Sequence, residues 1–245
     1  MKDTIFTIKS NVKIAKNTYE MVLIGDTSDI TASGQFVNIK LDGFYLRRPI
    51  SVCDADDGKL TLIFKAVGEG TIKMAEMECG EKLDILSGLG NGYDLTKSGD
   101  RPLLLGGGAG VPPMYMLAKE LIGEGKTVTV ILGFGSADEV FYKEEFEKIG
   151  AKVIVATADG SVGVRGFVTD AMAELDYTYF YTCGPEPMLK AIYDKSETSG
   201  QLSFEERMGC GFGACMGCSC KTKYGNKRIC RDGPVLTKEI GRAHV

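Results

Sequence analysis

Histidine is almost missing from this chain of 245 residues: its one copy, His244, stands one place from the end. Chemistry that needs an imidazole, whether as general acid–base or as metal ligand, is set aside on that count, and His244 is read as a bystander. Long apolar runs are missing too. Nothing approaches the roughly 18–20 consecutive apolar residues that cross a bilayer as a helix. The opening MKDTIFTIKS alternates like a strand and lacks the apolar stretch and small-residue cleavage site of a signal peptide. Basic residues are not in excess. The net charge of −4 at pH 7 offers no field for nucleic acid and no polybasic patch for a membrane. No repeat or low-complexity linker interrupts the chain. What remains is an ordinary globular composition, long enough for two compact domains or one domain and an appendix, expected in the cytoplasm.

The eight cysteines are unevenly spread. Cys53, Cys79, Cys183 and Cys230 are scattered, whereas Cys210, Cys215, Cys218 and Cys220 crowd into GCGFGACMGCSC. Clustered thiols without a secretion signal indicate metal or redox chemistry rather than a disulfide framework. Cys210-x4-Cys215-x2-Cys218, followed by Cys230, is the plant-type spacing of a [2Fe–2S] cluster. A loop around such a cluster must turn its thiolates inward and aim N–H groups at sulfur. Gly209, Gly211, Gly213 and Gly217 give the backbone that freedom. The competing reading is structural zinc, which also takes four thiolates. Zinc ribbons, however, favour two separated Cys-x2-Cys knuckles, and only one such step occurs here. Cys220 is left out of the ligand set because its SCK context reads as the start of a strand.

Two patterns precede the cysteines. Residues 1–99 read as short strands (TIFTIKS, TYEMVLIG, GQFVNIKL, PISVCDAD, KLTLIFKAV, EKLDILSGLG) with one brief helix at Thr71–Met77, the signature of a small antiparallel barrel. Residues 100–203 alternate apolar strands with amphipathic helices: PLLLGG, then PPMYMLAKELIGEG, TVTVILGFG, EVFYKEEFEKIG, AKVIVATADG, FVTDAMAEL, TYFYTCGP and EPMLKAIYDKSE. That alternation predicts a doubly wound parallel sheet. Residues 204–245 form the cysteine-rich segment. The predicted fold class is thus mixed β and α/β.

Within these segments several motifs carry charge or glycine where a cofactor would need it. Arg48-Pro49-Ile50-Ser51 opens a strand; its guanidinium suits a pyrophosphate and its Ser a flavin ring. By itself RPIS also reads as an ordinary strand start. GEGT at Gly68–Thr71 leads into the short helix, whose free N–H groups at Gly70 and Thr71 suit phosphate oxygens. GGGAG at Gly106–Gly110, with Gly108 and Gly110, marks the strand-to-helix turn where α/β sheets hold nucleotides. Cys183-Gly184-Pro185 ends another strand at the same edge, although a small buried residue is an equal reading of Cys183. After TVTVILGFG come Asp138 and Glu139 and no base before Lys143. Acids there serve a ribose hydroxyl and repel a 2′-phosphate, which favours NAD(H) over NADP(H); they also suit the start of a helix.

RPIS, GEGT, GGGAGVPP and CGPEPM in this order resemble the ferredoxin–NADP reductase superfamily. With ERMGCGFGACMGCSCKTK and ICRDGPV added, the whole chain is similar to the electron-transfer subunits of NAD-dependent dihydroorotate dehydrogenases. The resemblance implies FAD contacts at Arg48, Pro49, Ile50, Ser51, Ile63, Phe64, Lys65, Gly70 and Thr71. It places Cys183 beside the nicotinamide of NAD(H) and implies cluster ligands Cys210, Cys215, Cys218 and Cys230. The spacer before Cys230 is short for the family, which leaves the length of the connecting hairpin open. It further implies an FMN-containing dihydroorotate dehydrogenase catalytic subunit as partner, in a hetero-oligomer, by resemblance a heterotetramer. Two rivals stand beside it: a sister reductase subunit serving a ferredoxin- or glutamate-synthase-type partner, and a zinc-stapled nucleotide-binding regulator.

Overall fold

The computed structural model describes residues 1–240, so the terminal GRAHV, with His244, lies outside the described residues. The first six strands are β1 (Lys2–Ala15), β2 (Thr18–Ile24), β3 (Phe36–Lys40), β4 (Arg48–Asp56), β5 (Lys59–Lys65) and β6 (Lys82–Leu89). They close into an antiparallel barrel in the order β1-β2-β5-β4-β3-β6. Period-2 alternation explains the closure. Leu60, Leu62 and Phe64 of β5 point inward with Phe6, Met21, Val37, Ile39 and Val52, each such side chain contributing about 1.5–3 kcal/mol on burial. Pairing between β4 and β5 runs from Asp56↔Lys59 only as far as Val52↔Leu62. Beyond that point Arg48–Ser51 and Ile63–Lys65 diverge, leaving a slot with main chain on both walls. The helix α1 (Glu69–Glu76) follows β5 and sits at the end of that slot.

A second sheet is built from β7 (Pro102–Gly107), β8 (Thr129–Phe134), β9 (Lys152–Thr157), β10 (Val164–Arg165), β11 (Tyr179–Cys183) and β12 (Gly200–Ser203). They alternate with α2 (Pro112–Gly123), α3 (Lys143–Lys148), α4 (Val168–Met172) and α5 (Glu186–Lys195). The parallel order β10-β9-β8-β7-β11-β12 reverses direction at β7, the first strand laid down. Both faces are buried. Leu104, Val130 and Leu132 pack with Met114 and Leu117 of α2 and Phe146 of α3. Leu103, Leu105 and Ile131 face the other way, onto Val168, Leu189 and Ile192. Cys53 and Ile63 of the barrel join the first of these clusters, so barrel and sheet share one core. Lys119 of α2 adds an ion pair to Asp54 of β4 at 2.8 Å.

The cysteine-rich segment carries β13 (Ser219–Thr222), β14 (Gly225–Arg228), α6 (Ile229–Asp232) and β15 (Val235–Thr237). The short spacer before Cys230 is a tight hairpin, Thr222 pairing with Gly225. β15 then returns to the second sheet and pairs antiparallel with β12, an edge strand that the sequence reading left inside the cysteine tail. Two helices are shorter than their sequence patterns. EVFYKEEFEKIG becomes helical only at Lys143, because Ala137–Glu139 forms a separate 3₁₀ turn and Tyr142 takes φ of 65°. FVTDAMAEL is helical only over Val168–Met172.

Candidate functional site

The expected residues fall on a slot in the barrel, on two cavities beside it and on the cysteine loop. β4 carries Arg48, Pro49, Ile50 and Ser51 along one wall of the slot, and β5 carries Ile63, Phe64 and Lys65 along the other. The side chains of Ile63 and Phe64 lie in the shared core and the barrel core, so that wall offers its main-chain groups. At the end of the slot, a β-carbon on Gly70 would stand 2.3 Å from Arg48 Nε. Glycine therefore lets the guanidinium and the start of α1 come together. Arg48 donates to the Leu46 carbonyl at 2.5 Å and lies 4.6 Å from the centre of the Phe44 ring. The Thr71 hydroxyl is used inside the turn, accepting from the N–H groups of Val67 and Gly68 at 3.1 Å each. The first-turn N–H groups of α1, Gly70 and Thr71 among them, have no intrahelical acceptor. A guanidinium beside a helix start is a pyrophosphate cradle, and this donor set fits FAD.

A cavity of about 220 Å³ adjoins the slot, lined by Pro49 and Ser51 together with Phe36, Cys183, Phe204 and Glu205. Here β4 meets the CGP turn, residues far apart in sequence. Burial pushes the Cys183 thiol up to about 12, and the nearby Glu205 carboxylate adds to the effect. The group is thus a neutral thiol at pH 7. Burial also raises the Glu205 carboxyl above its ordinary range.

At the C-terminal ends of β7, β8 and β11 lies a cavity of about 480 Å³ that includes Gly107, Gly108, Gly135, Pro185 and Met188, the position expected of a nucleotide in such a sheet. Gly108 has φ of 51°. A β-carbon on Gly110 would lie 2.1 Å from the Cys183 carbonyl oxygen, so the GGGAG and CGP turns pack backbone to backbone, Gly184 included. The expected pair of acids separates. Glu139 lines the cavity, whereas Asp138 pairs with Lys16 at 3.0 Å. Lys65, expected on the flavin side, sends its ammonium across to Glu139 at 2.8 Å and also lines this cavity. A cation therefore does stand close to Glu139, supplied by the other domain, where a reading confined to the residues following the strand found none.

The eight cysteines form no disulfide. Cys218 and Cys230 are buried, their sulfurs 3.1 Å apart, and the Cys230 N–H donates to Cys218 Sγ at 3.4 Å. Cys210 Sγ accepts from the N–H groups of Ala214 (3.2 Å) and Cys215 (3.4 Å), while Cys215 Sγ accepts from those of Cys210 (3.4 Å) and Gly217 (3.5 Å). Burial pushes the Cys210 thiol up, but the N–H groups of Cys215, Phe212 and Ala214 outweigh it and leave it at about 6. Burial and the neighbouring Cys218 push Cys230 up to about 12. The thiols thus come as two pairs, and no three Cys, His, Asp or Glu among the described residues form a site for a single ion. Two pairs with N–H groups on sulfur fit a [2Fe–2S] cluster, which takes two thiolates at each iron. Cys220 lies outside both pairs, buried on β13 opposite Lys227.

Sequence reasoning missed Phe36, Phe204 and Glu205, which line the cavity by Ser51 without belonging to a recognisable motif. Glu205 carried one usable signal, its place directly before ERMGCGFGAC, close behind an apolar strand.

Comparison with known proteins agrees with this geometry. The family model described as the iron–sulfur cluster binding domain of dihydroorotate dehydrogenase B matches residues 205–240, and that of the oxidoreductase NAD-binding domain matches residues 104–194. The chain is 46% identical to the dihydroorotate dehydrogenase B (NAD(+)) electron transfer subunit of Fusobacterium nucleatum, with 96% of each chain covered. It is 44% identical to that of Bacillus pumilus, with 98% of each covered. Among solved structures, the NADH-dependent reduced ferredoxin-NADP oxidoreductase superposes with a TM-score of 0.87 at 29% identity, covering 96% of this chain and 89% of that one. The ferredoxin reductase of carbazole 1,9a-dioxygenase, at 21% identity and a TM-score of 0.70, covers 79% of this chain and 64% of its own and shares the fold. With a shared core joining barrel and sheet, paired thiols in the tail and these relatives over nearly its whole length, the chain belongs to the family of dihydroorotate dehydrogenase B (NAD(+)) electron transfer subunits.

Proposed function

We propose that this chain passes electrons between NAD(H) and a partner subunit that oxidises dihydroorotate to orotate, in pyrimidine biosynthesis. The observation that carries the reading is contiguity. One cavity touches Ser51 of the flavin strand, Cys183 of the nucleotide turn and Glu205 at the head of the cysteine segment. FAD, when bound, exchanges a hydride's two electrons with the nicotinamide and passes them singly to or from the cluster. Arg48, Gly70 and Thr71 hold its pyrophosphate, and Pro49, Ile50 and Ser51, with the main chain of Ile63–Lys65, hold its length. Gly108, Gly110, Cys183 and Gly184 shape the NAD(H) seat, where the neutral Cys183 thiol adds no charge beside the nicotinamide. Cys210 and Cys215 hold one iron, and Cys218 and Cys230 the other.

Substrate chemistry belongs to the partner, since a (β/α)₈ dehydrogenase barrel of about 250 residues has no place in this chain. We assign that role to an FMN-containing catalytic subunit, joined with this chain in a heterotetramer and working in the cytoplasm. None of the described helices is long and apolar enough to cross a membrane.

The purified chain is expected to reduce a dye with NADH, at far higher efficiency than with NADPH, and to leave dihydroorotate untouched until the partner is added. Steady-state assays with each nucleotide, with and without the partner, check this. Dihydroorotate oxidation by the chain alone would overturn the subunit reading, and an NADPH efficiency equal to that of NADH would point to a sister reductase instead. Arg48→Ala tests the cradle separately. It removes a charge-assisted contact worth about 1.5–3 kcal/mol, so FAD should bind roughly 10- to 150-fold more weakly. Wild-type flavin occupancy after extensive dialysis would sink this role for Arg48.

A further inference from the structure

One buried polar side chain of the barrel touches the cysteine loop although no cofactor motif contains it. Asn38 lies on β3, opposite Pro49 of the flavin wall and two positions from Phe36. It is 1% exposed. Its Nδ2 donates to the Cys210 carbonyl at 3.4 Å, and a β-carbon on Gly211 would stand 2.4 Å from that same nitrogen. Gly211 also has φ of 80°, so backbone and contact alike require glycine. Asn38 Oδ1 is buried with no hydrogen-bond partner among the described residues. That is a standing cost which an apolar residue of the same size would avoid, and a buried amide kept despite it calls for an explanation.

Peptide geometry supplies the explanation. In a planar trans peptide the carbonyl and the following N–H point in opposite directions. The far flank of the loop shows the consequence. Arg228 Nη1 holds the Gly213 carbonyl at 2.8 Å, and the N–H of the same peptide, that of Ala214, meets Cys210 Sγ at 3.2 Å. Asn38 grips the same loop from the barrel side: it holds the carbonyl of Cys210, whose own N–H donates to Cys215 Sγ at 3.4 Å, and by the same geometry turns the Gly211 N–H away from the barrel. Hydrogen bonds to sulfur stabilise the more negative, reduced state of an iron–sulfur centre and raise its potential.

We propose that Asn38 is a positioning residue that orients the Cys210–Gly211 peptide against the flavin-binding barrel and so helps set the potential of the cluster. The proposal rests on the cluster reading above. The test uses the full chain with its cofactors and two variants. Asn38→Leu keeps the volume and removes the donor; Asn38→Asp keeps the shape and turns an acceptor towards the Cys210 carbonyl. Iron and FAD per chain, the paramagnetic resonance spectrum of the reduced cluster and its midpoint potential are measured anaerobically. Iron and FAD are expected at wild-type content, with altered g-values. The reduced fraction of the cluster in equilibrium with the flavin should fall about tenfold in the Leu variant, ~59 mV for a one-electron centre, and further in the Asp variant. A wild-type potential and spectrum in the Asp variant would overturn the proposal, as would loss of iron from both variants, which would reduce Asn38 to a core residue. A wild-type chain without iron would defeat the cluster reading itself.

Discussion

Cys218→Ser is expected to abolish the visible and paramagnetic signature of the cluster, as are Cys210→Ser, Cys215→Ser and Cys230→Ser, each by itself. The loss should be complete, because each iron of a [2Fe–2S] centre depends on two protein thiolates and a serine hydroxyl is not ionised at neutral pH. Cys218 and Cys230 make the sharpest case. Each is 2% exposed, and their sulfurs touch in a pocket that solvent cannot enter to supply a replacement ligand. Cys220→Ser and Cys79→Ser are the controls. Cys220 is on β13, outside both pairs, and Cys79 lies on the barrel surface with its thiol on the Lys9 carbonyl at 3.2 Å. Both variants should keep iron, sulfide and spectrum at wild-type levels. Iron content and absorbance of the purified variants decide the matter: bleaching by Cys220→Ser together with an intact spectrum in Cys218→Ser would mean that the ligand set is wrong.

Gly110→Ala should cost much stability, because the atoms it meets are not free to move. The new β-carbon would lie 2.1 Å from the Cys183 oxygen, 2.3 Å from its carbonyl carbon and 2.6 Å from the Gly184 nitrogen. All three are main-chain atoms at the end of a central strand of the sheet. Relief requires the GGGAG and CGP turns to separate, and these same turns line the two cavities. A cost of about 3 kcal/mol or more is expected, which in a chain of this size lowers the melting temperature by roughly 6–12 °C. NADH affinity should fall with it. Gly123→Ala is the matched control, since a β-carbon there meets nothing within 4 Å at the end of α2, and it should be neutral or slightly stabilising. A Gly110→Ala protein with the melting temperature and NADH affinity of the parent would show that the two turns are not locked together.

Some features of the site were legible because they are local. Cys210-x4-Cys215-x2-Cys218 is a spacing, and a loop that short must bring its thiols together wherever the chain folds. RPIS, GEGT and GGGAG each announce a charge or a flexible backbone at the end of an element. Lys65 shows where such reading stops. Its strand is recognisable, yet the direction of its ammonium depends on a loop 74 positions away. The same holds for the two acids, which are equivalent in sequence and of which only Glu139 lines the cavity. Both stand in a 3₁₀ turn that strand and helix periodicities do not register. β15 escaped notice because three residues are too few to show alternation. Its place in the sheet is set by the open edge of β12.

The sequence by itself determined the fold class, because hydrophobic alternation changes from period 2 in the barrel to continuous apolar strands separated by amphipathic helices in the sheet. It also determined the kind of redox group the tail can carry, through the number and spacing of its thiols. Only the tertiary structure decided how these parts face one another: that β4 and β5 part above Val52↔Leu62 to leave a slot, that Ser51 and Cys183 share a cavity, and that Asn38 of the barrel holds the Cys210 carbonyl. The physical reason is range. Periodicity, spacing and backbone freedom act over a few residues and are written where they act, whereas a contact between distant segments exists only once burial of the shared core has brought them together.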